Sequence, residues 1–123
     1  MRPRLRTATP VLLVGDLEAT ARWYKRLGFA AELFPPGFAI LSRDGVDLFL
    51  QYTDGYVRPH DPRREARDAW DVYIRTDDAR ALSEEFSTVK GITAPQVQPY
   101  GQLEFEVTDP NGYVLVFASE AQR

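Results

Sequence analysis

An order of elements that occurs twice constrains this 123-residue chain more than any other feature. "TATPVLLV" (residues 7–14) is β-branched and apolar and reads as a strand, with Pro10 marking an edge, a bulge or a hinge. In "GDLEATARWYKRLGF" the period lengthens to that of a helix. Asp16 is its expected cap, Thr20, Trp23, Tyr24 and Leu27 its apolar stripe, and Gly28 its end. Lys25 and Arg26 suit the negative end of its dipole. "FAAELF", "GFAILSR" and "VDLFLQY" follow as strands, broken by Pro35, Pro36 and Gly37 and then by the hairpin signal Asp44–Gly45. The order then starts again. "AWDVYIRT" reads as a strand and "DDARALSEEFSTV" as a helix, with Asp77 as cap, Leu82, Phe86 and Val89 as stripe, and Gly91 as end. "APQVQPY", "QLEFEVT" and "YVLVFAS" are the remaining strands, and the turn "DPNG" stands where "RDG" stood.

Both halves therefore read strand–helix–strand–strand–strand, although their sequence identity is slight. Between them, residues 53–68 are polar, charged and interrupted by two prolines, as expected of a long surface connection with room for one helical turn. A half of about fifty residues cannot easily bury a sheet face alone, so two halves should share a surface. The expected fold is α+β, a single domain over 1–123. Two βαβββ modules, about 7–52 and 69–119, form curved mixed sheets around a groove.

Composition narrows the chemistry. No cysteine is present, which removes disulfides, thiolate metal sites and cysteine nucleophiles. The lone histidine, His60, cannot form a histidine-rich metal site within one chain. A net charge of −3 disfavours broad nucleic-acid binding, which needs clustered positive charge. No apolar run approaches the length of a membrane span, and the N-terminus lacks the apolar core of a signal peptide. A cytoplasmic protein without nucleic-acid or membrane partners is expected.

Some residues invite a functional reading beside a plain one. Ser42, Ser83, Ser87 and Ser119 have no histidine at a telling spacing, which leaves only a distant pairing with His60 through the fold. His60 lies in the polar "RPHDP", where a lone histidine is usually ordinary surface. Asp71 shares a strand face with Tyr73 in "AWDVYIR"; it could meet a ligand cation, or serve a nearby arginine. Glu104 and Glu106 flank Phe105 and can give one face negative potential, or simply point outward. Phe38 in "PPGF" and Tyr100 in "QPYG" sit beside turns, although rings in short strands more often belong to a core.

These residues resemble a known superfamily, the vicinal oxygen chelate fold of glyoxalase I, extradiol dioxygenases, and fosfomycin- and bleomycin-resistance proteins. "VGDLEATARWYKRLGF" looks like its first helix segment and "DPNGYVLVF" like its final turn and strand. The chain most resembles the bleomycin-binding subgroup, through "TATPVLLVGDL", "WYKRLGF", "GFAIL", "DLFLQ", "QPYG" and "DPNG". That resemblance implies a homodimer with N-terminal strands exchanged near Pro10. It also implies aromatic-walled pockets at the dimer interface, with Phe38 and Tyr100 as stacking rings. The family commonly has tryptophan where Tyr100 stands.

The superfamily's enzymes hold a divalent metal on four strand positions, and the resemblance carries these onto Thr9, Phe49, Asp71 and Val116. Phe49 and Val116 cannot ligate, so no metal or other cofactor and no catalytic group is expected. A one-residue slip of the alignment would bring forward Gln51 or Glu106, but it also turns side chains to the other sheet face. The implied function is capture of a planar, partly cationic small molecule of the bleomycin type, giving antibiotic resistance without turnover. Its expected ligand-binding residues are Phe38, Phe49, Asp71, Tyr73, Tyr100, Glu104 and Glu106. The alternatives are a binding or immunity protein for another aromatic natural product, and a metal-dependent enzyme of glyoxalase or dioxygenase type.

Overall fold

Strand alternation and one capped helix build the first of two units, Met1–Tyr56. The computed structural model describes residues 1–59, 61–62 and 70–121. In the first unit β1 (Val11–Val14), β2 (Ala30–Phe34), β3 (Phe38–Arg43) and β4 (Val46–Tyr52) form a sheet in the order β1-β4-β3-β2. β1 runs parallel to β4, while β3 is antiparallel to both β4 and β2. Alternate residues point to one side: Leu12, Val14, Ala39, Leu41, Leu48 and Leu50 are all buried. Helix α1 (Leu17–Lys25) supplies Thr20, Ala21 and Tyr24 to the same core.

Local chemistry sets the ends of these elements. Asp16 is extended, and its carboxylate accepts from the Ala19 amide at 3.0 Å, as an N-cap should. Arg22 and Lys25 occupy the last turn of α1, against its negative end. Gly28 (φ +83°) then turns the chain, and a Cβ there would come within 2.8 Å of the Arg43 guanidinium. Asp44 (φ 51°) and Gly45 (φ 82°) both have positive φ, the backbone a two-residue hairpin needs.

The second unit, Val57–Arg123, repeats the plan. β5 (Val72–Arg75), β6 (Gln96–Val97), β7 (Gln102–Thr108) and β8 (Val114–Glu120) lie in the order β5-β8-β7-β6, and β5 is again parallel to the last strand. Helix α2 (Ala79–Glu85) packs on β7 and β8. Three rings form the centre of this core: Phe86 meets Phe117 at 5.4 Å and Phe105 at 6.0 Å, and Phe105 stacks on Phe117 at 5.3 Å. The division between the units, at Tyr56–Val57, falls inside the connection expected over 53–68.

Several expected boundaries move, each for a local reason. β1 begins at Val11 and not at residue 7, because Pro10 has no amide to give a ladder; its carbonyl accepts from Phe49 at 2.9 Å. The cap of α2 is Asp78 and not Asp77, since Asp78 is the extended residue whose carboxylate takes the Ala81 amide. Phe86 and Val89 lie past the end of α2 yet are still buried. Trp23, expected in the core stripe, is only half-buried and sets its ring edge-on to Tyr24 at 4.9 Å. The strand expected over "APQVQPY" shrinks to Gln96–Val97, between two prolines. His60 and the stretch 63–69, where a helical turn was expected, lie outside the described residues.

The turn before β8 is held from within. Asp109 is buried, and its Oδ1 accepts from the amides of Asn111 (2.8 Å) and Tyr113 (2.9 Å). Truncation leaves both amides without that acceptor. Asp109→Ala should lower the unfolding free energy by about 2–3 kcal/mol, measured as a lower urea midpoint at unchanged slope.

Candidate functional site

Within each unit, the residues expected to bind a ligand fall mainly on the sheet face turned away from the helix. In the first unit, register places Phe38, Ile40, Phe49 and Gln51 together there. Phe38 and Phe49 are half-buried, and their rings meet at 5.1 Å and 68°. Phe34 extends the patch, 6.1 Å from Phe38 and 42% exposed. Solvent-accessible rings at this density form a surface on which a flat molecule can stack.

In the second unit the same face is polar. Glu104 pairs with Ala118, and Glu106 with Val116, which in turn pairs with Tyr73; all therefore point to one side. Glu104 is 4% exposed. Its Oε2 accepts hydrogen bonds from two phenols, Tyr73 and Tyr100, each at 2.5 Å. Tyr100 reaches it from the turn between β6 and β7. There Pro99 sets the first corner, and the Gly101 amide donates to the Gln98 carbonyl at 3.0 Å. A cavity of about 500 Å³ lies beside this cluster, lined by Trp70, Thr93, Gln96, Gln98, Glu104 and Glu106 among others.

Trp70 is a lining residue that the sequence reading left out. Strict alternation along "AWDVYIRT" put it opposite Asp71 and Tyr73. However, β5 starts only at Val72, so Trp70 is not bound by that alternation. It is 40% exposed, with its ring 5.3 Å from that of Tyr73. A large exposed ring beside a strand start was the available signal.

Of the two roles left open for Asp71, its carboxylate fills that of an arginine partner. Arg58 Nη2 donates to both oxygens, at 3.0 and 2.8 Å, with both side chains largely buried. Asp71 also accepts from the Val114 amide at 2.9 Å. The Arg58 guanidinium lies over the Tyr113 ring, 5.5 Å from its centroid. This clasp fixes the start of the second unit to the start of β8.

The repeated topology agrees with the comparisons to known proteins. Residues 6–117 match the family model described as the Glyoxalase/Bleomycin resistance protein/Dioxygenase superfamily. The chain belongs to that superfamily. Within it, the chain is 31% identical over 119 residues to a bleomycin resistance protein from Klebsiella pneumoniae, covering 88% of this chain and 87% of that one. A bleomycin-binding protein solved in complex with bleomycin superposes with a TM-score of 0.75 at 26% identity, over 95% of this chain and 100% of that chain. The bleomycin-binding protein of bleomycin-producing Streptomyces verticillus, solved with copper(II)-bleomycin, gives 0.73 at 25% identity, over 98% and 100%.

The divalent ion of the superfamily's enzymes does not fit the residues at the corresponding positions. Phe49 and Val116 offer hydrocarbon, and both oxygens of Asp71 are held by Arg58. Among the described residues no group of three or more histidine, cysteine, aspartate or glutamate side chains could hold a metal ion.

The two phenols on Glu104 are perturbed in a measurable way. Burial, and then the hydrogen bond and charge of Glu104, push the Tyr73 phenol from its ordinary 10.0 up to about 12. Tyr100 also rises to about 12, through desolvation of its hydroxyl and then through the same carboxylate. With Tyr100 53% exposed, the adjacent carboxylate is the stronger physical cause. A raised phenol favours the fold in its neutral form, so this contribution is complete below pH 10 and is lost as pH rises through about 12. Ultraviolet titration of tyrosinate should show Tyr73 and Tyr100 among the late phenols, and Tyr73→Phe and Tyr100→Phe should each remove one.

Proposed function

We propose that this protein captures a flat, partly cationic small molecule of the bleomycin glycopeptide type and confers resistance by holding it without turnover. The observation that carries this reading is the pairing of chemistries on the two sheets. Phe38 and Phe49 form an accessible ring surface in one unit, and the Tyr73–Glu104–Tyr100 cluster borders a cavity in the other. The relatives support it, since the bleomycin resistance protein from Klebsiella pneumoniae and the two bleomycin-binding proteins described above share 31%, 26% and 25% of their residues with this chain.

In this reading Phe38 and Phe49 offer a stacking surface in the first unit, and Tyr100 offers one in the second. Tyr73, Glu104 and Glu106 meet the polar and cationic part of the ligand. Asp71 acts indirectly, holding Trp70 and β5 in place through Arg58. Donors for a catalytic metal are replaced by hydrocarbon at two positions, which supports binding over catalysis.

The working form is a cytoplasmic homodimer with N-terminal arms exchanged at Pro10. In support, residues 1–8 are exposed and lie in no strand, and Leu5 is 99% exposed. An apolar side chain flanked by arginines on such an arm is suited to a second copy of the chain.

Calorimetric titration with bleomycin, both metal-free and copper(II)-loaded, tests the proposal. Saturable binding with one ligand per chain is expected, and Phe38→Ala should weaken it roughly three- to tenfold. No saturable heat with either form would remove the assignment.

A further inference from the structure

Glu104 is a buried acid that no described lysine or arginine of its unit pairs with. Both phenols donate to Oε2, and among the described residues none donates to Oε1. No lysine or arginine among them forms an ion pair with Glu104. Arg75 is close enough to act on the Tyr73 phenol through space, but it is exposed and makes no bond to the carboxylate. A carboxylate that is 4% exposed and has no countercharge among the described residues is costly to keep, and a cationic partner would offset that cost.

The free oxygen is also aimed. Two charge-assisted bonds on Oε2 fix the rotamer and turn Oε1 away from the phenols. Oε1 is not sealed in protein: the fully buried side-chain atom without a partner, among the described residues, is Arg58 Nε. Glu104 lines the cavity of about 500 Å³. The same wall presents Thr93, Gln96 and Gln98, neutral groups that accept the further N–H donors of a cationic head. Trp70 adds a ring face, which attracts an organic cation.

We propose that Glu104 Oε1 is the receptor for a cationic nitrogen on the captured molecule, an ammonium or amidinium that donates a hydrogen bond, with Tyr73 and Tyr100 as the residues that position it. This rests on the reading of the protein as a small-molecule binder and adds which ligand class the second unit selects. It also gives Tyr100 a second task. In a relative with tryptophan at this place, an indole N–H would replace the phenol, and the carboxylate would be held differently. The cation preference should therefore vary with the ring at this position.

The test uses the full-length native protein and two isosteric probes, benzamidinium and neutral benzamide, followed by two-dimensional amide NMR. The amidinium should bind at least about tenfold more tightly than the amide, with shifts centred on β6, β7 and the Tyr100 turn. In Glu104→Gln the preference should collapse towards one, and Tyr100→Phe and Tyr73→Phe should each reduce it. Equal affinity for the two probes in the native protein overturns the proposal, as does failure of the amidinium to bind at millimolar concentration; neither result depends on a variant folding. A preference that survives Glu104→Gln and vanishes in Glu106→Gln overturns it too, by moving the receptor to Glu106. Bleomycin titration of the same sample separates the two readings. Bleomycin binding without an amidinium preference removes only the receptor, whereas an amidinium preference without bleomycin binding removes only the glycopeptide.

Discussion

One helix covers one face of one four-stranded sheet, and everything useful in this protein follows from the face it leaves over. Because strand residues alternate, committing Leu12, Val14, Leu48 and Leu50 to the helix side commits Phe49 and Gln51 to the other. The same rule sends Phe105 and Phe117 to the core of the second unit, and Glu104 and Glu106 to the opposite side. Core packing and the proposed binding surface therefore fall to different residues by a single geometric fact. A one-residue slip in either hairpin would exchange the two sets, which is why the tight turns at Asp44–Gly45 and Asp109–Gly112 matter to function as much as to folding.

Much of this was legible because the signals were local. Period changes, the cap Asp16 and the Asp44–Gly45 turn each act within a few residues, and the matching element order of the halves followed from them. What failed was also local in origin. Asp77 and Asp78 are both good caps, and only the backbone decides that the second is the extended one. β6 was expected to be longer because "APQVQPY" holds apolar residues, but Pro95 and Pro99 leave room for only two ladder residues. The site was less legible for a different reason. Sequence alternation placed Glu104 and Glu106 on one face correctly. It could not show that Glu104 is buried and bound by two phenols, because one of them, Tyr73, lies 31 residues away. Nor could it show that Asp71 is claimed by Arg58, across a connection whose composition suggested only solvent exposure.

The Arg58–Asp71 clasp bears on the chemistry this fold can support. In the superfamily's enzymes the position of Asp71 belongs to a metal ligand, as the family resemblance implies. Here the carboxylate is spent on a guanidinium and on the Val114 amide, and the positions of Phe49 and Val116 carry no donor. Restoring a metal site would take more than two substitutions, since Asp71 would also have to be released from a largely buried ion pair. Breaking such a pair leaves Arg58 buried and uncompensated, at a cost of roughly 3–5 kcal/mol. The described donors at these positions therefore serve the wall of the second unit, which agrees with the proposed capture of a molecule.

Tyr100 ties the two halves of the recognition chemistry together. Its ring is half exposed, available to a flat ligand, while its hydroxyl is bonded to Glu104. A stacking ring is usually free to turn about its side-chain torsions, and part of the binding energy is lost in stopping that motion. Here the carboxylate has already stopped it, so ring orientation and charge orientation are set by one hydrogen bond. A ligand that stacks on Tyr100 meets a ring whose tilt reports the position of Glu104, and a cation placed at Oε1 strengthens the acceptor that holds the ring. Tryptophan at this position would offer a larger face but would donate from a different point on the ring. Tyrosine therefore exchanges stacking area for a fixed relation between plane and charge, and under the proposed function it would favour molecules in which a flat group and a cationic nitrogen stand at one defined separation.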